Sequence, residues 1–135
     1  MKGMNIKEEL CDYYRKKMRL EKTKYEIGIL EGSINKIEER MKKENLESND
    51  LIKKIIQEKK GKVLRKEIEA EELVSEIAGI DYCISELEDS EKLLLDYKFN
   101  KRYLDKDIQI EMNMSRSTIY RRITKIAEKI EEALV

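Results

Sequence analysis

Two long stretches of this chain repeat apolar residues at steps of three and four, which is the spacing of an amphipathic helix. The first carries Ile6, Leu10, Tyr13, Leu20, Ile27, Leu30, Ile34, Ile37 and Met41, and the second carries Ile52, Ile56, Val63, Ala70, Leu73, Ile77, Ile80, Ile84 and Leu87. Proline, which would interrupt such helices, does not occur in the chain. Valine and threonine are too sparse for a sheet protein. The pattern predicts an all-α fold built on two long helices.

The segment between the two stretches, ENLESND from Glu44 to Asp50, contains turn formers and good helix N-caps. Two helices of nearly equal length, about 60 Å each at 1.5 Å per residue, joined by a short polar loop make an antiparallel hairpin. A turn centred near Ser48 places Met41 opposite Ile55 or Ile56. We therefore predict a long, coiled-coil-like antiparallel hairpin over residues 1–89.

Such a hairpin buries only one stripe on each helix, so a third helix or a second chain is usually needed to stabilise it. The hairpin is accordingly expected to serve as an oligomerisation or partner surface, with a homodimer as the expected assembly. Gly61 and Gly79 lie inside the second stretch, and each costs about 1 kcal/mol relative to alanine in a helix, so we expect a bend or break there.

Several classes of function are disfavoured by residues that the chain lacks. It contains no histidine, which removes Ser-His-Asp and Cys-His catalysis and His-ligated zinc. Neither a P-loop nor a GxGxxG motif is present. Paired acids such as Glu71 and Glu72 lie on polar helix faces, where solvation is the ordinary explanation. We expect no enzymatic activity, no cofactor and no metal.

The sequence also bears on location. No apolar run approaches the roughly 18–20 residues that a membrane helix needs, and Met1 to Leu10 has no apolar centre of the signal-peptide type. The two cysteines, Cys11 and Cys83, match no metal or disulfide framework. A cytoplasmic protein without a membrane segment is expected.

Residues 90–135 follow a different pattern, that of three shorter helices. Ser90 is a good N-cap for a helix carrying Leu93, Leu94 and Tyr97. A second helix is predicted from about Leu104 to Met112. Asn113 tolerates left-handed turn geometry, and Ser115 is the expected N-cap of a third helix, which runs to about Leu134 and has Ile119, Ile123, Ile126 and Ile130 on its inner face. A short helix, a tight turn and a longer helix make a helix-turn-helix, so residues 90–135 are predicted to be a DNA-binding domain.

In that motif the second helix enters the major groove, and its first residues contact base edges. The chain has equal numbers of basic and acidic residues, 29 each, yet residues 113–125 contain four basic residues and no acid. Arg116 and Arg121 are predicted to bind guanine, while Arg122 and Lys125 neutralise phosphates. The predicted DNA-binding residues are Ser115, Arg116, Ser117, Thr118, Tyr120, Arg121, Arg122 and Lys125. The alternative is a three-helix cap packed on the hairpin, with a surface that happens to be basic.

The segments LEDSEKLLLDYKF and MNMSRSTIYRRI, with the apolar Ile108 between them, resemble region 4 of sigma-70-family factors. The resemblance covers about Leu87 to Leu134. Small phage transcriptional regulators of the ArpU and RinA families look similar, since they join an N-terminal helical part to a C-terminal sigma-like helix-turn-helix. The resemblance implies that Arg116, Ser117, Tyr120 and Arg121 read a promoter element.

Sigma factors often carry Glu and Gln where this chain has Ser117 and Arg121, so a standard −35 sequence is not expected. Sigma region 2 is not recognisable in residues 1–89. The chain therefore resembles a regulator that uses the region 4 module, and not a complete sigma factor.

Three functions stay open at this point. The favoured one is a phage- or prophage-type transcriptional regulator that binds double-stranded DNA through the helix 116–134, with the hairpin supplying a dimer interface or a contact to RNA polymerase. The second is a phage DNA-packaging component such as a small terminase subunit, although those proteins usually place the DNA-binding part first. The third is a structural helical bundle that contacts only protein.

Overall fold

The computed structural model describes residues 5–134, and every regular element in that range is helical. The elements are α1 (Ile6–Lys43), α2 (Asp50–Ser85), α3 (Asp89–Leu95), a π-helical turn (Asp96–Asn100), α4 (Asp105–Met112) and α5 (Arg116–Ala133). The all-α prediction is confirmed. Residues 1–4 of the predicted hairpin and residue 135 of the predicted C-terminal domain lie outside the described residues.

The long helices α1 and α2 pack against each other as an antiparallel pair, as predicted. Ion pairs show the direction, because Lys60 lies 3.8 Å from Glu38 while Lys66, further along α2, lies 3.5 Å from Glu26. Residues within the loop between α1 and α2 determine its conformation. Asn45, just after α1, has a left-handed φ of 54°. Asn49 then caps α2 by accepting a hydrogen bond from the Ile52 N–H at 3.0 Å.

Residues 18–75 form one compact unit around the turn of the hairpin. Its core is made of Ile34, Met41, Ile56 and Val63, with Ile27, Leu30, Ile37, Leu46 and Ile52 packed against them. Met41 and Ile56 share this core, as the predicted register requires. Burial of this stripe is the main source of stability for the two helices, whose exposed faces are rich in charged residues.

Residues 5–17 and 76–134 form the second compact unit, which joins both ends of the hairpin to α3, α4 and α5. Its most completely buried side chains come from several of these elements: Leu10, Leu94, Leu95, Ile108, Ile126 and Ile130. Burial, together with the nearby Asp96 carboxylate, raises the pKa of Tyr14 in α1 to about 12. This unit therefore draws residues from both sides of the predicted boundary at residue 89.

The glycines of α2 do not interrupt it, since the helix is continuous through Gly61 and Gly79 from Asp50 to Ser85. The predicted break is therefore wrong. The backbone hydrogen bonds of a helix packed along one face outweigh the roughly 1 kcal/mol cost of each glycine.

Replacing Gly28 with alanine is expected to raise the free energy of unfolding by about 1 kcal/mol, because alanine is the better helix former. A Cβ added at Gly28, in the middle of α1, would have no neighbour within 4 Å. Gly79→Ala is the matched comparison, since its new Cβ would lie 3.2 Å from Leu134 Cδ2 and part of the gain would be lost. Urea unfolding of both variants measures the difference. An equal gain at the two sites would show that the Leu134 contact has no effect.

Helix α3 begins two residues earlier than the sequence predicted. Its N-cap is Glu88, not Ser90, and the Glu91 carboxylate accepts a hydrogen bond from the Glu88 N–H at 3.0 Å. The π-helical turn that follows inserts an additional residue, with the Lys101 N–H donating to the Asp96 carbonyl at 2.8 Å. Leu93, one of the apolar residues that this helix was predicted to carry, is 42% exposed, whereas Leu94 and Leu95 are buried.

Candidate nucleic-acid interface

The turn between α4 and α5 is set by two residues that the sequence predicted. Asn113 adopts left-handed geometry with φ 51° and ψ 51°, and it ends α4. Ser115 then caps α5, and its Oγ accepts a hydrogen bond from the Thr118 N–H at 3.2 Å. Three residues, 113–115, thus separate an eight-residue helix from an 18-residue helix.

The inner face of α5 fixes which of its residues point outward. Ile119, Ile123, Ile126 and Ile130 are at most 4% exposed, as predicted. Both α3 and α4 contact α5, so this helix cannot rotate without exposing its apolar stripe. The residues opposite the stripe are therefore held toward solvent.

Ser117, Arg121 and Lys125 occupy successive turns of α5 and form an exposed outward row. Arg122 is also exposed, on the side of α5 that faces α3. Within residues 5–134, no carboxylate lies at ion-pair distance from Arg121, Arg122 or Lys125. Three cations with uncompensated charge on one helix surface create a positive local field.

Arg116, unlike these three cations, has an acidic partner, because its Nε lies 3.5 Å from Asp105 Oδ2. The same carboxylate accepts a hydrogen bond from Lys98 Nζ at 3.0 Å. The Lys98 hydrogen bond and charge, followed by the charge of Arg116, hold the pKa of the Asp105 carboxyl below its usual range. Asp105 therefore stays ionised at neutral pH and partly neutralises the arginine.

Ser115 and Thr118, two of the predicted DNA-binding residues, have their hydroxyls engaged in the cap. Ser115 Oγ lies 2.9 Å from Thr118 Oγ1 and 3.3 Å from Ser117 Oγ. Ser115 and Ser117 are exposed, while Thr118 is half-buried. These groups hold the first turn of α5 in shape, which leaves Ser117 as the hydroxyl on the outward row.

Tyr120 is 65% exposed and lies against a residue from the start of the chain. The ammonium of Lys7, in the first turn of α1, is 5.0 Å from the centroid of the Tyr120 ring. Sequence reasoning did not find Lys7, because nothing in the local pattern of α1 distinguishes it from the other exposed lysines of that helix. Only the tertiary structure, which places the first turn of α1 near Tyr120, brings it to this surface.

A groove of about 330 Å³ runs between α3 and α5. Its lining includes Arg122 and Lys125 on one side and Glu88 and Glu91 on the other. Glu91 pairs with Lys129 at 3.5 Å. The acids thus lie on the α3 side of the groove, and neither Glu88 nor Glu91 is at ion-pair distance from Arg122 or Lys125.

Other kinds of site find no support in the described part of the chain. No cluster of three or more Cys, Asp or Glu side chains that could hold a metal ion occurs among residues 5–134. None of the helices described there is long and apolar enough to cross a membrane. The thiols of Cys11 and Cys83 are free and half-buried.

Comparison of the chain with protein-family models, curated proteins and solved structures finds no match. The geometry of the α4–α5 surface and the chemistry of its side chains are therefore the features that point to a function.

Proposed function

We propose that this chain is a sequence-specific DNA-binding transcriptional regulator of the phage or prophage type. The observation that carries the proposal is the exposed row on α5, which begins one residue after a capped N-terminus and contains no acid through Lys125. Helix α5 would lie in the major groove, with α4 packed behind it, as a helix-turn-helix does. The resemblance to sigma region 4 points to the same use of these residues.

Each group on the row has a distinct role in this proposal. Arg121 projects outward near the start of α5 and binds guanine O6 and N7 through two parallel hydrogen bonds. Arg122 and Lys125 contact backbone phosphates and supply affinity for any sequence. Ser117, in the first turn, donates to a phosphate or a base edge.

The hairpin would supply a second binding surface of the regulator, one that contacts another protein chain. On α1, Met18, Tyr25 and Ile29 recur at spacings of seven and four, and they are 61%, 70% and 55% exposed. Apolar side chains in a row on one side of a helix are suited to packing against another helix. A second copy of this chain is the partner we favour, and RNA polymerase is the alternative.

Replacing Asp105 with asparagine is expected to raise affinity for duplex DNA by roughly three- to tenfold at all sequences, because it removes an anion beside the interface and releases Arg116. Glu111→Gln is the control, since it makes the same charge change at an exposed residue of α4. Fluorescence anisotropy with labelled duplexes measures both variants. Equal affinities for the two would show that the Asp105–Arg116 pair does not restrain DNA binding.

The proposal is tested by selecting bound sequences from random duplex DNA over several rounds with the purified protein. An enriched motif is expected, and its symmetry distinguishes a dimer on two half-sites from a monomer on one. Weak, salt-sensitive binding without enrichment, by a ring-sized assembly, would support a packaging role instead. Failure to bind any duplex at low salt would refute DNA binding altogether.

A further inference from the structure

Lys7 brings a positive charge to the candidate interface from the opposite end of the chain. Its ammonium lies 5.0 Å from the centroid of the Tyr120 ring, and Tyr120 is one of the exposed residues of α5. Lys7 is itself exposed, and no carboxylate in residues 5–134 lies at ion-pair distance from it. A neutral aromatic ring thus holds this charge in place without neutralising it.

The position of Tyr120 on α5 shows what Lys7 adds. Consecutive helical residues are about 100° apart, so Tyr120 and Arg122 lie on opposite flanks of the outward-facing Arg121. The Arg122 flank carries its own cation. The other flank consists of Arg116, Tyr120 and Thr124, which follow one another at steps of four residues, and Arg116 is paired with Asp105. On this flank the cation of α5 itself is paired with a carboxylate, and Lys7 supplies one that has no ion-pair partner within residues 5–134.

A helix in the major groove, which is about 12 Å wide, has a phosphate backbone on each side. Basic residues on both flanks of α5 would therefore contact the two DNA strands separately. We propose that Lys7 binds a backbone phosphate on the strand that Arg122 does not reach, so that the first turn of α1 is part of the DNA-binding surface. This inference rests on the proposed function, and it names a second element of the same site.

Tyr120 acts in this arrangement as a positioning residue. The negative face of its ring attracts the Lys7 ammonium, which limits the rotamers open to a long and flexible side chain. Because the tyrosine is neutral, the full charge of Lys7 is left for a phosphate. A carboxylate at position 120 would hold the lysine more strongly but would cancel that charge.

The decisive experiment is ethylation interference, which identifies phosphates on each strand whose modification blocks binding, done with the full chain and the enriched duplex. Wild type is expected to show interference on both strands. Lys7→Ala should lose it on one strand only, and Arg122→Ala on the other. Lys7→Ala should also weaken binding by roughly three- to tenfold and reduce the slope of log affinity against log salt by about 0.9.

Two further variants separate charge from structure. Lys7→Arg keeps the cation and should restore the interference pattern. Lys22→Ala removes an exposed lysine of α1 outside this unit and should match wild type. Thermal unfolding of Lys7→Ala should also match wild type, because the side chain is exposed.

These experiments distinguish failure of the Lys7 inference from failure of the proposed DNA binding. A Lys7→Ala pattern and salt slope identical to wild type, alongside a normal effect of Arg122→Ala, would overturn the role of Lys7 and leave the proposed function standing. Wild-type protein that shows no interference and no salt-dependent binding would overturn the proposed function and this inference together.

Discussion

Replacing Leu10 with alanine is expected to lower the free energy of unfolding by about 2–5 kcal/mol, the range for a fully buried leucine. Leu10 lies in the second turn of α1 and is 0% exposed. The loss combines the transfer free energy of the removed carbons with the cavity that they leave. Urea unfolding followed by circular dichroism gives the change directly. Leu64→Ala is the control, since Leu64 is 60% exposed and its loss should be within about 0.5 kcal/mol.

Which helices Leu10→Ala destabilises is as informative as the change in the free energy of unfolding. Leu10 belongs to the compact unit that contains α3, α4 and α5, so its loss should loosen helices that lie far from it in sequence. Amide hydrogen exchange in α4 and α5 should accelerate in Leu10→Ala and stay unchanged in Leu64→Ala. If exchange accelerated only in α1 and α2, the C-terminal helices would be stable without the N-terminal turns. The sequence boundary at residue 89 would then also be a folding boundary.

Much of this architecture follows from interactions between residues close in sequence. The cap at Asn49, the left-handed turn at Asn113 and the cap at Ser115 each depend on a residue type and on neighbours within about four positions. The apolar stripe of α5 repeats at the helical period, so it indicates the buried face directly. These features could be predicted because the chemistry that determines them is local.

The π-helical turn from Asp96 to Asn100 could not be predicted in this way. The additional residue of a π-helical turn changes which side chains face inward. Because residues 93–95 are all leucine, the apolar periodicity fits a regular α-helix and a helix with a π-helical turn equally well. Burial of Leu95 and Phe99 in the tertiary structure decides between them.

The charges around the candidate site are also set by tertiary packing. Asp105 reaches Arg116 only because α4 packs against α5, and Lys7 reaches Tyr120 only because the tertiary structure places the first turn of α1 near that ring. The sequence correctly indicates the buried stripe of α5, and the predicted DNA-binding residues of this helix are exposed except for the half-buried Thr118. It does not indicate that Arg116 has an anionic partner or that α1 contributes a cation to this surface.

Of the two arginines predicted to bind guanine, Arg121 is the better placed, because Arg116 is paired with Asp105. Arg121→Ala is expected to weaken binding to the enriched sequence by about 1–3 kcal/mol, or roughly 5- to 150-fold. Binding to unrelated duplexes should change much less, so the ratio of specific to nonspecific affinity should fall. Repeating the selection with this variant should show relaxed preference at one base position of each recognised site.

Lys125→Ala is the matched comparison, because it removes one cation from the same exposed row of α5. Since phosphates are present in every sequence, this change should weaken all duplexes alike and reduce the salt slope by about 0.9. Titrations at several salt concentrations, with the enriched and an unrelated duplex, distinguish the two behaviours. Identical losses for Arg121→Ala and Lys125→Ala on both duplexes would mean that α5 contacts only the DNA backbone. Specificity would then have to come from another element, or the protein would be a nonspecific DNA binder of the kind that packaging requires.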